Sequence, residues 1–160
     1  MAIKSMKDLE KVVNRYIEKA MVMTRDEIFE VVSQKVSDYY DEPVFNNDPP
    51  NEPRMYKRTG RLMEELTGSN VIKLGNSFSF TVGWDDEYLS FSYPGNPNWE
   101  GNVPATGYDV LTSFNTGFHG ITVKGNHNYW DEAIDELNSI HGSIPELFKK
   151  NLKKCGLPVK

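Results

Sequence analysis

Three histidines, His119, His127 and His141, and one cysteine, Cys155, are the side chains with the widest chemical reach in this 160-residue chain. Their spacing matches neither a pair of histidines one helical turn apart nor a zinc finger, whose remaining thiolate ligands a single cysteine cannot supply. Asp85, Asp86 and Glu87 follow one another, and with His119 or His127 they could line the site of a metal-dependent hydrolase. Consecutive acids between two strand candidates are read more simply as a solvated turn. His127, Asp131 and His141 offer a base and its orienter, but the nucleophile candidates Ser139, Ser143 and Cys155 lack the strand-turn-helix elbow that would present an activated oxygen or sulfur. Neither a G-x-x-x-x-G-K-[ST] loop nor a G-x-G-x-x-G turn occurs, so the sequence lacks the backbone cradles for phosphate. The expectation is a chain that is not an enzyme, with no catalytic set, no cofactor and no metal.

Binding chemistry is the next possibility. Lys149, Lys150, Lys153, Lys154 and Lys160 make the C-terminal end basic, and Arg54, Lys57, Arg58 and Arg61 form a second cluster suited to phosphate. The whole chain carries 18 Lys plus Arg against 23 Asp plus Glu, for a formal charge of -5. No general attraction to nucleic acid or anionic lipid follows, and cations near a helix C-terminus are favourable on their own account. Tyr88, Tyr93, Trp99 and Tyr108 could stack on bases or sugars, although core packing accounts for most aromatic residues. A nucleic-acid or carbohydrate-binding module therefore stands beside the hydrolase as an alternative reading. A lone cysteine agrees with folding in a reducing compartment. The first residues lack an apolar signal core, and no window approaches the roughly 20 apolar residues that span a bilayer, so no membrane partner is expected.

What must position these residues is one domain, 1–160, since a chain of this length buries about two-thirds of its unfolded surface in a single core. Ser5 and Asp8 open a helix in which Met6, Leu9, Val13, Tyr16, Ile17, Ala20, Thr24, Ile28, Val31, Val32, Lys35, Val36 and Tyr39 recur at steps of three and four. Neither Pro nor Gly interrupts it before Tyr40. It can run about 30 residues or about 45 Å, longer than so small a core needs, and Met23 and Thr24 mark where it could break. Pro43, Pro49, Pro50 and Pro53 among Asn and Asp make residues 41–57 an extended loop. Thr59 is placed to cap a short helix running to Leu66, with Gly60 turning the backbone and Gly68 ending the element.

Val71, Ile72 and Leu74, a turn at Gly75 and Asn76, and Phe78, Phe80 and Val82 alternating with Ser and Thr predict a β-hairpin. Leu89, Phe91 and Tyr93 repeat the two-residue period and predict a third antiparallel strand, followed by loop from Pro94 to Pro104. Tyr108, Val110, Leu111 and Phe114, then Ile121 to Val123, give only weak signals. Asn128 is placed to cap a helix bearing Trp130, Ala133, Ile134 and Leu137 on one face, ended by Gly142. Ser143 and Glu146 form a capping box with Pro145 in the first turn, and the final helix closes at Gly156. The fold class is α+β: a long N-terminal helix, a small antiparallel sheet and C-terminal helices.

Taken together, the long first helix, the segment Y-K-R-T-G-R-L from Tyr56 to Leu62, the strands and the paired closing helices resemble the neck and tail-completion proteins of long-tailed bacteriophages, the head-to-tail connection or tail-terminator-like family. Arg58, Thr59, Gly60 and Leu62 carry the distinctive part of the Y-x-R-T-G-x-L pattern, and Y-D-V-L-T-S-F-N-T-G, residues 108–117, is similar to a later aromatic-apolar segment. Trp130 and Ala133 stand where that family has an aromatic lead-in to its closing helix, though the R-P-F-x-x-P-A form is missing. The resemblance implies a structural virion protein. It would be made in the host cytoplasm and assembled as a homo-oligomeric, hexameric ring at the head-to-tail junction or the top of the tail, joining or completing that tail. Its implied partners are a connector or stopper protein and the major tail protein, with DNA passing through the ring without sequence-specific recognition. Tyr56, Arg58, Thr59, Gly60 and Leu62 are the candidate motif and assembly residues, with the loop holding Pro43, Pro49, Pro50 and Pro53 as candidate interface.

Overall fold

The computed structural model describes residues 4–41, 60–89, 91–93, 103–105 and 128–159. The elements run α1 (Met6–Asp41), α2 (Arg61–Glu64), β1 (Leu66–Gly68), β2 (Ile72–Leu74), β3 (Ser77–Ser79), β4 (Val82–Trp84), α3 (Asp86–Leu89), β5 (Phe91–Tyr93), β6 (Val103–Ala105), α4 (Tyr129–His141) and α5 (Ile144–Lys154). The strands form three two-stranded ladders, β1 with β4, β2 with β3 and β5 with β6. The fold is α+β as the sequence predicts, with the strand content divided among separate ladders. No described helix is long and apolar enough to cross a membrane.

The helix α1 runs unbroken for 36 residues, about 54 Å at 1.5 Å per residue. Its start is the predicted one. The Ser5 Oγ accepts from the Asp8 amide at 3.1 Å, while the Asp8 carboxylate accepts from the Ser5 hydroxyl at 2.9 Å and the Lys4 amide at 3.3 Å, so donors left over at the helix end are satisfied reciprocally. There is no break at Thr24, because its hydroxyl donates back to the Ala20 carbonyl at 2.8 Å and so is satisfied inside the helix.

The described structure divides into two compact units, one of Met1–Val31, Gly68–Val82 and Ile134–Lys160, the other of Val32–Thr67 and Gly83–Ala133. In the first, the buried side chains are Ala20, Thr24 and Ile28 of α1, Leu137 of α4, and Leu147, Asn151 and Leu152 of α5. Asn151 is fully buried, and its Nδ2 donates to the Thr24 hydroxyl at 3.2 Å. At the margin of this core, Glu27 accepts from Lys154 at 3.3 Å and lies 3.6 Å from His141 Nε2. The start of α5 follows the predicted box in part: Ser143 Oγ accepts from the Glu146 amide at 3.2 Å, but the Glu146 carboxylate turns to Lys149. Its end places the Gly156 amide on the Lys153 carbonyl at 2.9 Å and the Leu157 amide on the Leu152 carbonyl at 3.0 Å, the paired bonds that close a helix through a left-handed residue.

The hairpin β2–β3 belongs to the first unit and has the predicted two-residue turn, with Ile72 opposite Ser79, Lys73 opposite Phe78 and Leu74 opposite Ser77. The strand expected to continue to Val82 ends at Ser79. Thr81 is held at Ser69 by two bonds of 2.8 Å, amide to hydroxyl and carbonyl to amide, and Val82 then starts β4. The expected third strand also departs from the sequence reading. Leu89 ends α3, and β5 pairs with β6, with Phe91 opposite Ala105, Ser92 opposite Pro104 and Tyr93 opposite Val103. Pro104, read as loop, lies in a strand of a two-stranded ladder, where the missing N–H need not interrupt an inner row of hydrogen bonds.

The second unit buries Val32 and Val36 of α1, Leu62, Leu66, Leu89, Tyr129 and Ala133. The expected helix from Thr59 to Leu66 is shorter than predicted. It covers Arg61–Glu64, its cap position is Gly60 with φ 83°, and Leu66 and Gly68 are in β1. Thr59 lies outside the described residues.

Candidate assembly site

Of the motif residues, Gly60 and Leu62 are described, and the structure brings them into one short bend. Gly60 has φ 83°, a left-handed conformation that costs an L side chain roughly 1 kcal/mol or more. This conformation lets its carbonyl accept from the Met63 amide at 2.9 Å and the Glu64 amide at 3.1 Å, so the chain turns into α2 without a side-chain cap. Two residues later the Leu62 side chain is buried.

The Leu62 carbonyl explains why α2 stops. Its expected acceptor role, toward an amide four residues on, is replaced by the indole Nε1 of Trp84, which donates to it at 2.6 Å. Leu66 is thereby free to enter β1, and the Thr67 hydroxyl donates to the Gly83 carbonyl at 3.3 Å in the same ladder. Trp84 is itself seated among aromatic rings: the Tyr129 centroid is 5.3 Å away with planes at 73°, and the Trp130 centroid is 6.1 Å away at 60°. Edge-to-face packing of this kind directs a ring's positive rim at its neighbour's negative face. Burial drives the Tyr129 phenol far above its ordinary pKa, because the phenolate would be stripped of water. On the other flank Met63 Sδ accepts from the Ser33 hydroxyl of α1 at 3.7 Å.

The result is a base made from α1, α2, β4 and the start of α4; the chain re-enters the described structure in it at Gly60, having left at Asp41, the end of α1. The segment between them contains Tyr56, Arg58 and Thr59 and the four candidate interface prolines, Pro43, Pro49, Pro50 and Pro53; all seven lie outside the described residues. The sequence reading missed Trp84. Its single signal was a Trp two residues beyond an apolar strand position, which carries no hint of the carbonyl it serves.

The residues considered for catalysis are not assembled among those described. Asp85 Oδ1 accepts from the Glu87 amide at 3.1 Å, and in place of the expected acidic turn Asp86 and Glu87 open α3, while His119 and His127 lie outside the described residues. His141 faces Glu27, Ser143 caps α5, and the Cys155 thiol lies 3.7 Å from the Met23 sulfur. No group of three or more His, Cys, Asp or Glu positioned to hold a metal occurs among the described residues. In the basic cluster, Lys149 and Lys154 are engaged by Glu146 and Glu27.

A family model described as YomN matches residues 5–154, almost the whole chain. No curated protein matches the chain, and no solved structure does.

Proposed function

We propose a virion role for this chain from one premise: it belongs to the YomN family, which is phage-related. The reading is a structural protein that forms a homo-oligomeric, hexameric ring at the head-to-tail junction or the top of the tail, and there joins or completes the tail. Its partners are a connector or stopper protein below or above it and the major tail protein, with DNA passing through the ring. The protein works by contact and not by turnover.

The observation that carries this reading is the family match, because it spans every element from α1 to α5 and so concerns the whole fold. The motif R-T-G-x-L supports it from a second direction. Gly60 and Leu62 fix the point where the Pro-rich segment rejoins the fold, and Trp84 holds the Leu62 carbonyl in place. A segment anchored at both ends can meet a neighbouring subunit at lower entropic cost than a free tail. Ring closure requires one face of each subunit to fit a different face of the next, and modest pair contacts become stable when every subunit has two neighbours.

Deletion of the gene from its phage tests the role, with particles examined by electron microscopy and complemented by the parent chain, by Arg58→Ala and by a chain with residues 43–53 shortened. Heads and tails that accumulate unjoined or unfinished without the protein, and its presence in parental virions, are the expected results. Normal infectious particles without the protein would overturn the virion role. Full rescue by the shortened chain would remove the Pro-rich segment from the interface.

A further inference from the structure

The hairpin β2–β3 is a small ladder with no third strand among the described residues, and a lone two-stranded ribbon is marginal in water. Ile72 and Leu74 are 51% and 63% exposed. Being two residues apart, they share one face of the ribbon, above Ser79 and Ser77 of the opposite strand. In a chain of which 26% of residues are charged, residues 69–84 hold a single charge, Lys73. Exposed strands are ordinarily guarded against pairing by charges along their edges, and the edge formed by β3, with Ser77, Phe78 and Ser79, carries no charge of its own.

Which edge meets which follows from the register. The residues that close a two-residue turn, Leu74 and Ser77, exchange both ladder bonds, so the next pair, Lys73 and Phe78, directs its amide and carbonyl groups outward. Each edge therefore offers one donor and one acceptor to a further strand. Pairing β2 with β2 of another copy would set Lys73 against Lys73, which is repulsive. Pairing β3 with β2 of another copy sets Phe78 against Lys73, repeating across the boundary a contact already made within the hairpin, where Lys73 Nζ lies 5.5 Å from the Phe78 ring centroid. A neighbour related by a small rotation presents its β2 antiparallel to β3, so the same ladder continues. This contact joins two different edges, and an interface of that type builds a ring where the rotation between neighbours closes.

We propose that the hairpin is the element joining one copy of this chain to the next, β3 of each lying against β2 of its neighbour, so that Ile72 and Leu74 stand beside Ser79 and Ser77 of that neighbour. The proposal rests on the ring reading above and names the contact that closes it. It is tested on the full chain by sedimentation velocity over a range of concentrations and by amide hydrogen exchange before and after assembly. Ile72→Lys and Leu74→Lys together, at positions already exposed, set charges along the β2 edge and should leave the far-UV spectrum and melting temperature unchanged while weakening self-association about tenfold or more. The Lys73 and Phe78 amides should gain protection in the assembled parent. If the parent assembles but these amides exchange as before, or the double variant assembles like the parent, the hairpin proposal is overturned and the ring reading stands. Protection that another virion protein confers on these amides without self-association of this chain also overturns it. A parent that does not self-associate alone or with its partners removes both.

Discussion

Replacing Trp84 by Phe removes one hydrogen-bond donor and leaves an aromatic ring in place, so it isolates the contact on which the base of the Pro-rich segment depends. The indole donates at 2.6 Å to the carbonyl of Leu62, a residue only 5% exposed, where water is poorly placed to substitute. A hydrogen bond of this type contributes about 0.5–1.5 kcal/mol net, and a stranded buried carbonyl costs about 1–3 kcal/mol. The expected loss is about 1–3 kcal/mol, or roughly 2–12 °C in melting temperature for a chain of this size. Phe retains an edge contact with Tyr129, now 5.3 Å between centroids, so Trp84→Ala should cost more, about 3–5 kcal/mol. Urea unfolding followed by far-UV circular dichroism measures both, since tryptophan fluorescence changes with the substitution itself. Amide exchange provides a second readout: with its carbonyl released, Leu62 can accept from Leu66 and α2 can lengthen at the expense of β1. A Phe variant as stable as the parent would refute the weight given to this bond. Equal losses for Phe and Ala would refute the contribution of ring packing.

Leu62→Ala should destabilise the fold by about 2–5 kcal/mol in the same assay, because a buried leucine is removed and the site collapses only in part; an unchanged midpoint would reject its core position. Asn151→Leu should be close to neutral, since Thr24 keeps its bond to the Ala20 carbonyl and a buried amide oxygen with no partner among the described residues is lost. Asn151→Asp should cost about 3 kcal/mol at neutral pH, an effect that shrinks as acid protonates the carboxylate. The converse ranking by urea unfolding would refute the buried amide pair. Tyr129 keeps its proton in the folded state after the unfolded chain has lost it, so its contribution is intact below about pH 10 and stability falls as pH rises beyond that value. Tyr129→Phe should flatten this alkaline decline, and an identical pH profile would show that the phenol ionises as easily folded as unfolded.

Local rules were enough for those elements whose partners lie close in sequence. Ser5 with Asp8, Gly75 with Asn76, and Ser143 with Glu146 are separated by three residues or fewer, so the bonds they make are fixed by backbone geometry and are visible as spacing. The extent of α1 was legible for the same reason, since neither Pro nor Gly interrupts it. The α+β class followed from the change of period between residues 39 and 71. The candidate site was legible only as a short motif whose Gly and Leu fitted a turn and a buried position.

Tertiary structure decided what depended on remote partners. Trp84 reaches a carbonyl 22 residues away, and this bond, not any helix signal between Thr59 and Gly68, ends α2 and frees Leu66 for β1. Phe91 finds Ala105 and not the hairpin, because alternation fixes which face a strand buries but not which edge it joins. Thr24 reads as a weak point in a helix until Asn151, remote in sequence and fully buried beside it, makes it part of the core. Sequence by itself determined where the backbone could turn, begin a helix or alternate, since those choices are settled by each residue's own sterics and nearest hydrogen bonds. Only the folded chain decided which carbonyl, edge or hydroxyl each element would meet, since those pairings depend on which distant groups exclude water together.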